Sequence, residues 1–390
     1  MNKSKYKSRL KDIVLNATRS ILSPLLSFLL SYIIIHNYSK ELWGEFVSYL
    51  LFFFVANMIL SWGGKDYLLR QFSEEPSKII NKWQTYFIAR LPLFIIVILS
   101  IPLIYSWKEF QFLAIWISAS YISQSVVPIF LYQRDYFKII VVELFSFFVL
   151  VGYTLNSSHI NLTDFGLFYG YYCLVKTVLL VILYQSFFRF KNFVFKPALL
   201  WVSLPFLLMA LVGFFQGKID LYVFAAFHSK ALLADYQVIS GFLIFSQSIA
   251  TILVLPYIKN VYRMKTSGIA KLSQLVGISG LVINAVVLGS IIVVLRFFFE
   301  IIFNSEQVII AYLIGFPSYF YAIRVYYLFS NGKENKVLIV SLWSLLVNLT
   351  LSVILLYFGW KITGVLLANG VAQLVCLILY LQYKIDDKTA

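Results

Sequence analysis

Ionisable side chains interrupt several long apolar stretches of the sequence, and their placement could do chemistry. Lys176, Glu143, Asp220 and Arg19 are four of them. A charged group at the centre of a membrane span costs about 2.5–3.5 kcal/mol on insertion scales, so such residues mark ion or substrate pathways by default. Lys176 lies midway along its apolar run, where its side chain cannot easily reach either end. It is either the cation of a polar cavity or the structural partner of a buried carboxylate such as Glu143.

Asp220 is the second acidic residue that we single out within an apolar run. It lies in the outer third of the apolar run 198–227, four residues after Gln216 and therefore on the same helix face. Two interpretations remain open: a carboxylate facing a cavity, where it could couple to a proton or a cation, or one half of a salt bridge between helices. Gly213 and Gly217 have the spacing of closely packed helices, which predicts a helix contact.

Four arginines lie nearer to the ends of apolar runs. Arg19 shares a polar helix face with serines, which suits a cavity lining, a close-packed seam or snorkelling to the headgroups. For Arg90 and Arg324 snorkelling competes with a cavity role. Arg70 falls in the charged stretch 63–82, which we interpret as a loop. There it could guide an anion or simply contribute ordinary positive-inside charge.

The composition is typical of a membrane protein. Apolar residues make up 61% of the 390 residues and charged residues 13%, against about 45–50% and 25% in soluble domains. A bilayer core of about 30 Å needs about 20 apolar residues per helix. The sequence predicts an all-α polytopic membrane protein with twelve transmembrane helices, near 12–35, 43–62, 83–105, 111–132, 138–155, 165–187, 198–227, 235–257, 272–295, 308–330, 337–358 and 362–382.

The basic residues predict the orientation of these spans. Of the 32 lysines and arginines, 22 fall in the termini and alternate loops, five in the opposite loops and five inside spans. This bias places both termini in the cytoplasm. Because the basic residues are dispersed over short loops, we expect no nucleic-acid partner. Both cysteines lie in apolar runs, and we expect neither a metal nor a cofactor.

The two halves of the chain are related. The segment 39–46 is echoed by 229–236, 190 residues later, with serine, lysine, leucine, an acid and an aromatic residue at matching positions. We predict an N-terminal six-helix lobe at 1–188, a cytoplasmic linker at 189–197 and a C-terminal six-helix lobe at 198–390. With six spans each, the two repeats are parallel, as in transporters built from two bundles.

Several short motifs recur at intervals along nearly the whole chain. They are WGEF at 43–46, WGGKDYLLR at 62–70, LP at 204–205, KID at 218–220, FSNGKENK at 329–336 and FGWKITGV at 358–365. This spaced pattern resembles the polysaccharide exporters, the O-antigen and capsule repeat-unit flippases of the multidrug/oligosaccharidyl-lipid/polysaccharide superfamily.

The resemblance implies a V-shaped transporter of the bacterial cytoplasmic membrane that works by alternating access and is not an enzyme. Its substrate would be an undecaprenyl-pyrophosphate-linked oligosaccharide, and its other partners membrane lipids, a glycan polymerase and a chain-length regulator. Coupling to protons or sodium ions would need acidic groups. The residues we assign to these roles are the substrate-binding cations Lys176, Arg19, Arg70, Arg90 and Arg324 and the cavity carboxylates Asp220 and Glu143.

Two other classes of function remain as alternatives. An ion-coupled small-molecule antiporter of the same superfamily should have a more acidic cavity than five basic residues and two acids provide. A membrane-embedded glycan polymerase should carry a large outer loop, and an acyltransferase a histidine within a span. The sequence has short outer loops, and its three histidines lie at span ends.

Overall fold

The computed structural model describes residues 3–157, 159–190, 194–254, 261 and 266–383, with the side chains of 3–13 and 266 left aside. This part of the chain forms fifteen α-helices. The first eight are α1 (Lys3–Asn37), α2 (Lys40–Ser61), α3 (Gly64–Glu74), α4 (Ile79–Ala89), α5 (Leu91–Ile104), α6 (Trp107–Gln133), α7 (Tyr136–Asn156) and α8 (Leu162–Leu183). The others are α9 (Ala198–Phe227), α10 (Lys230–Val254), α11 (Thr266–Phe299), α12 (Ser305–Gly315), α13 (Pro317–Ser330), α14 (Glu334–Tyr357) and α15 (Lys361–Gln382).

Twelve segments built from these helices are long and apolar enough to cross a membrane. Nine of them are single helices, and the other three combine α2 with α3, α4 with α5, and α12 with α13. The predicted fold class, an all-α polytopic membrane protein with twelve spans, is therefore confirmed. The cytoplasmic placement of both termini stays a prediction.

The interpretation of 63–82 as a loop was wrong. Residues 64–74 form α3, and a 3₁₀ turn at Pro76–Lys78 leads directly into α4. The charged residues suggested a loop, but they occupy one face of the helix, whereas Tyr67, Leu68 and Phe72 are buried on the other. An amphipathic helix of this kind has low mean hydropathy and escapes a search for continuous apolar runs.

Two spans predicted as single helices are each broken in the middle. Helix α4 ends at Ala89 and α5 begins at Leu91, with Pro92 in the first turn of α5. Likewise α12 ends at Gly315 and α13 begins with Pro317. A proline lacks the backbone N–H that would continue the preceding helix, so each proline starts a new one.

Parts of three predicted segments lie outside the described residues. They are positions 191–193 of the linker, positions 255–260 and 262–265 at and after the end of the eighth span, and the tail from 384.

The helices belong to two compact units. The first holds the chain up to Leu30 together with Glu45–Leu211, and the second holds Ser31–Gly44 together with the chain from Val212. Helices α1 and α9, which open the two predicted lobes, therefore each contribute to both units. The lobe boundary at 189–197 stays a prediction.

Buried aromatic side chains fix the helices of the first unit. The ring of Trp116 on α6 lies 5.4 Å from that of Phe46 and 4.8 Å from that of Tyr169 on α8. The indole Nε1 of Trp116 also donates to the carbonyl of Gly166, at 2.7 Å. These contacts set the rotation of α8 and thereby place Lys176, two helical turns after Tyr169.

The turns of the echoed segments meet in the second unit. Lys40 at the start of α2 forms an ion pair with Asp235 on α10, at 2.9 Å. The indole Nε1 of Trp43 donates to Oε1 of Gln237, at 2.9 Å. Both contacts anchor the beginning of α10, the helix that carries Tyr236.

Candidate functional site

The first unit contains an ionic cluster at membrane depth. Nζ of Lys176 on α8 lies 2.5 Å from Oε1 of Glu143 on α7. The hydroxyl of Tyr172, one helical turn before the lysine, donates to the other carboxylate oxygen, at 3.2 Å. The two charged side chains keep 24% and 15% of their surface accessible. The ion pair is therefore formed, and both of its side chains remain partly accessible.

Arg19 on α1 lies within electrostatic range of Glu143 but forms no ion pair with it among the described residues. Its guanidinium lies over the ring of Phe130, 5.3 Å from the ring centre, and donates a long hydrogen bond of 3.4 Å to Asn16. With two cations and one acid, this group of residues, which we call the cluster, carries a net positive charge.

This arrangement suits the reversible binding of an anion. Glu143 compensates the lysine while no ligand is present, because an isolated buried ammonium would be strongly destabilising. The ammonium group has three donors, so a phosphate oxygen can bind it without displacing the carboxylate. Charge-assisted hydrogen bonds of this kind are about twice as strong as neutral ones.

Arg70 and Arg90 have other partners within the first unit. Arg70 on α3 is 69% exposed and pairs with Glu74, at 3.0 Å, one turn along the same helix. Arg90 is buried: its Nη1 donates to the carbonyl of Leu60 at 2.8 Å, and its Nη2 to Oγ of Ser125 at 2.7 Å. The structure thus pairs Lys176 with Glu143 and leaves Arg19 within electrostatic range, whereas Arg90 caps the C-terminal end of α2.

In the second unit Asp220 is completely enclosed. Its Oδ2 accepts hydrogen bonds from the Tyr236 hydroxyl on α10 at 2.5 Å and from Nδ2 of Asn369 on α15 at 2.9 Å. Its Oδ1 accepts from the backbone N–H of Leu221 at 2.8 Å. Three donors on one carboxylate stabilise its negative charge without a salt bridge. In the described part of the chain, the buried Oδ1 of Asn369 has no hydrogen-bond partner.

Arg324, also in the second unit, holds the end of α15. Its Nη1 donates to the carbonyls of Tyr380 and Tyr383, both at 3.3 Å. These acceptors belong to the last turn of α15 and the residue that follows it, where carbonyls have no partner within the helix. No contact described here gives Arg324 an anion site. The roles assigned to all seven residues from the sequence stay predictions.

Sequence reasoning missed the partners of the enclosed carboxylate. Tyr236 entered only as the aromatic end of the echoed segment, and Asn369 was not among the candidate residues. Asn369 and Gln373 lie four residues apart on α15, a spacing that places both on one face. This spacing could have marked the face, but it cannot identify the residue opposite it.

Comparisons with known proteins identify the fold. No protein-family model matches the chain, and no curated protein sequence matches it. Among solved structures it is similar to the lipid II flippase MurJ in an inward closed conformation, with a TM-score of 0.70 and 15% sequence identity over 95% of this chain and 87% of that one. The chain therefore shares the fold of that structure over nearly its whole length.

Proposed function

We propose that this protein translocates an undecaprenyl-pyrophosphate-linked oligosaccharide, an O-antigen or capsule repeat unit, across the bacterial cytoplasmic membrane. It would take the lipid from the cytoplasmic leaflet and release it in the outer leaflet by alternating access. A glycan polymerase and a chain-length regulator would then use the product. The fold of a lipid-linked precursor flippase supports the class of substrate.

The observation that carries this proposal is the cluster of Arg19, Lys176 and Glu143. A diphosphate crossing the membrane needs cations at membrane depth, and the cluster supplies two cations for one acid. Lys176 would bind the diphosphate directly, and Glu143 would hold its ammonium group in place between transport cycles. Arg19 would contribute the second positive charge.

We further propose that Asp220 couples transport to a proton or a sodium ion. Its carboxylate is held between α9, α10 and α15 by Tyr236 and Asn369. A cation that neutralises it would weaken both hydrogen bonds and so change how these three helices pack. Such a change in packing is the kind of two-state element that alternating access needs.

The direct test is translocation by the purified protein in proteoliposomes. Undecaprenyl pyrophosphate carrying a labelled oligosaccharide is followed by its accessibility to an impermeant glycosidase. We expect Lys176→Ala and Asp220→Ala each to lower the initial rate about tenfold or more, since a charged hydrogen bond contributes about 1.5–3 kcal/mol. Lys176→Arg should retain part of the activity because it keeps the cation.

Lys138→Ala is the matched control. Lys138 is an exposed lysine of the same unit, paired with Asp135 at 2.9 Å, so its removal takes away one positive charge outside the cluster. All variants must purify as monodisperse protein that stays folded at the assay temperature, because removing Lys176 leaves Glu143 without its ion-pair partner. If Lys176→Ala transports as fast as Lys138→Ala, the cluster does not bind the substrate.

A further inference from the structure

The second unit contains an open cavity that the proposed ionic chemistry does not use. Its volume is about 370 Å³, and helices α9, α10, α13 and α15 line it. Sites for small ligands range from about 300 to 1,000 Å³, so this cavity has room for a small molecule or for one part of a larger one. Asp220 is not among its lining residues.

Two glycines create the space on the α9 side. Gly213 and Gly217 line the cavity, and a Cβ atom added at either position would meet nothing within 4 Å. Their interpretation as a close-packing motif was therefore wrong: the missing side chains leave α9 open instead of bringing a second helix against it.

Three glutamines face this space with unused hydrogen-bonding capacity. Gln216 and Gln247 each use Nε2 within the protein, the first towards Cys376 at 3.2 Å and the second towards the carbonyl of Ile314 at 3.1 Å. Gln373, only 4% exposed, accepts from the Tyr321 hydroxyl through Oε1, at 3.0 Å. The other amide atom of each glutamine has no hydrogen-bond partner among the described residues. These amide atoms are open to the cavity, so a ligand bound there can form hydrogen bonds with them.

The residues that line the cavity also determine which kind of ligand it can bind. Among the described residues that line the cavity none is charged, and Tyr321, Tyr326 and Phe329 add aromatic surface. Amide donors and acceptors beside aromatic rings suit a molecule that has hydroxyl groups on its edges and C–H groups on its faces. We propose that this cavity binds an uncharged sugar ring, and that it is a glycan subsite of the second unit.

This inference rests on the proposed function, because a sugar subsite serves the transport of a glycan. It assigns the two ends of the substrate to different chemistry. One neutral sugar residue would bind the amides of this cavity, whereas the diphosphate needs charged groups, which the cavity does not offer among the described residues.

The test is saturation-transfer NMR on the full-length protein in detergent, with a panel of free sugars as probes. The panel contains glucose, galactose, mannose, rhamnose and N-acetylglucosamine, with glucuronate as the charged member. We expect at least one neutral sugar to bind the wild type. The affinity of that sugar for Gly217→Leu should be lower by tenfold or more. Glucuronate should bind more weakly, since none of the described residues that line the cavity is a cation.

Gly241→Leu is the matched control, because Gly241 lies exposed on α10, lines no part of the cavity and also has nothing within 4 Å of an added Cβ. It should bind sugars like the wild type. Gly213→Leu is a second filling variant in case Gly217→Leu does not fold. The inference is overturned if no neutral sugar binds the wild type or if both filling variants bind like the control.

Binding of undecaprenyl pyrophosphate without a glycan separates this inference from the proposed function. If the bare lipid binds and Lys176→Ala abolishes that binding while no sugar binds, the cavity proposal fails alone. If sugars bind but the bare lipid does not, the proposed diphosphate chemistry fails and the sugar site stands.

Discussion

Arg90 and Arg70 of the first unit carry the same charge but have different surroundings. Arg90 has 2% of its surface exposed, and its guanidinium lies between the rings of Tyr86 and Tyr121, 4.9 and 5.4 Å from their centres. Arg70 projects from α3 and contacts only the neighbouring acid Glu74 among the partners described here. A buried arginine that satisfies carbonyl groups is part of the fold, whereas an exposed ion pair contributes little.

Replacing these arginines should therefore have unequal effects on stability. Arg90→Ala leaves the carbonyl of Leu60 and the hydroxyl of Ser125 without their donor, which we expect to cost about 3 kcal/mol. Arg90→Lys should recover only part of this, because one ammonium group cannot reproduce the planar fork. Arg70→Ala, the control, should change stability by about 0.5 kcal/mol or less. Thermal unfolding in detergent measures all three, and equal midpoints for Arg90→Ala and Arg70→Ala would contradict this account.

How far the site could be predicted is also decided at the level of residues. The apolar surroundings of Lys176 and Glu143 were enough to select both, and their pairing was one of two stated alternatives. The sequence could not choose between them, because helical spacing gives the face of a residue but not its partner on another helix. For the same reason Asp220 was found and its partners Tyr236 and Asn369 were not.

At the scale of the elements, the start of α2 packs closely against the start of α10. A Cβ added to Gly44 would lie 1.7 Å from the carbonyl oxygen of Lys230, a backbone atom that cannot easily move aside. The ion pair of Lys40 with Asp235 and the hydrogen bond of Trp43 to Gln237 surround this contact. The glycine in the WGEF motif is therefore explained by the approach of two backbones.

Gly44→Ala should destabilise the protein in spite of the better helix propensity of alanine. We expect a cost of about 1–3 kcal/mol, as in other overpacked contacts. Gly152→Ala is the control, since Gly152 lies within α7 and nothing is within 4 Å of its added Cβ. That variant should be as stable as the wild type or more stable by up to about 1 kcal/mol. Thermal unfolding decides, and an unchanged midpoint for Gly44→Ala would show that the two turns are not in contact.

Elements were predicted well where apolar runs were continuous and poorly where they were not. All twelve spans were located, because each contains enough apolar residues to cross the bilayer. Helix α3 was missed because its buried Tyr67, Leu68 and Phe72 alternate with charged residues. At Gly213 and Gly217 a helix contact was predicted where there is none. Their spacing is compatible with such a contact, and only the positions of the other helices show that the space beside the two glycines is open.

At the scale of the whole molecule, the compact units do not coincide with the two halves of the sequence. The first half of α9, up to Leu211, belongs to the first unit, where the carbonyl of Leu200 accepts from Trp62 at 2.8 Å. There the backbone of Leu207 also lies against Gly63, which adopts a positive φ of 67°. Residues 31–44, in turn, complete the second unit. Each half of the sequence thus contains a segment that the other half needs.

This exchange predicts the behaviour of a chain divided between Lys196 and Pro197, directly before α9. The fragment 1–196 lacks the α9 residues that cover Trp62 and Gly63, and 197–390 lacks Lys40 and Trp43. Neither fragment should therefore be stable alone. Co-expressed, they should purify as one complex, because together they contain every contact of both units. Co-purification on a single affinity tag and thermal unfolding test this, with the intact chain as reference. If either fragment alone is monodisperse and unfolds at the midpoint of the intact chain, the exchanged segments do not hold the units together, and the lobes of the sequence are independent folding units.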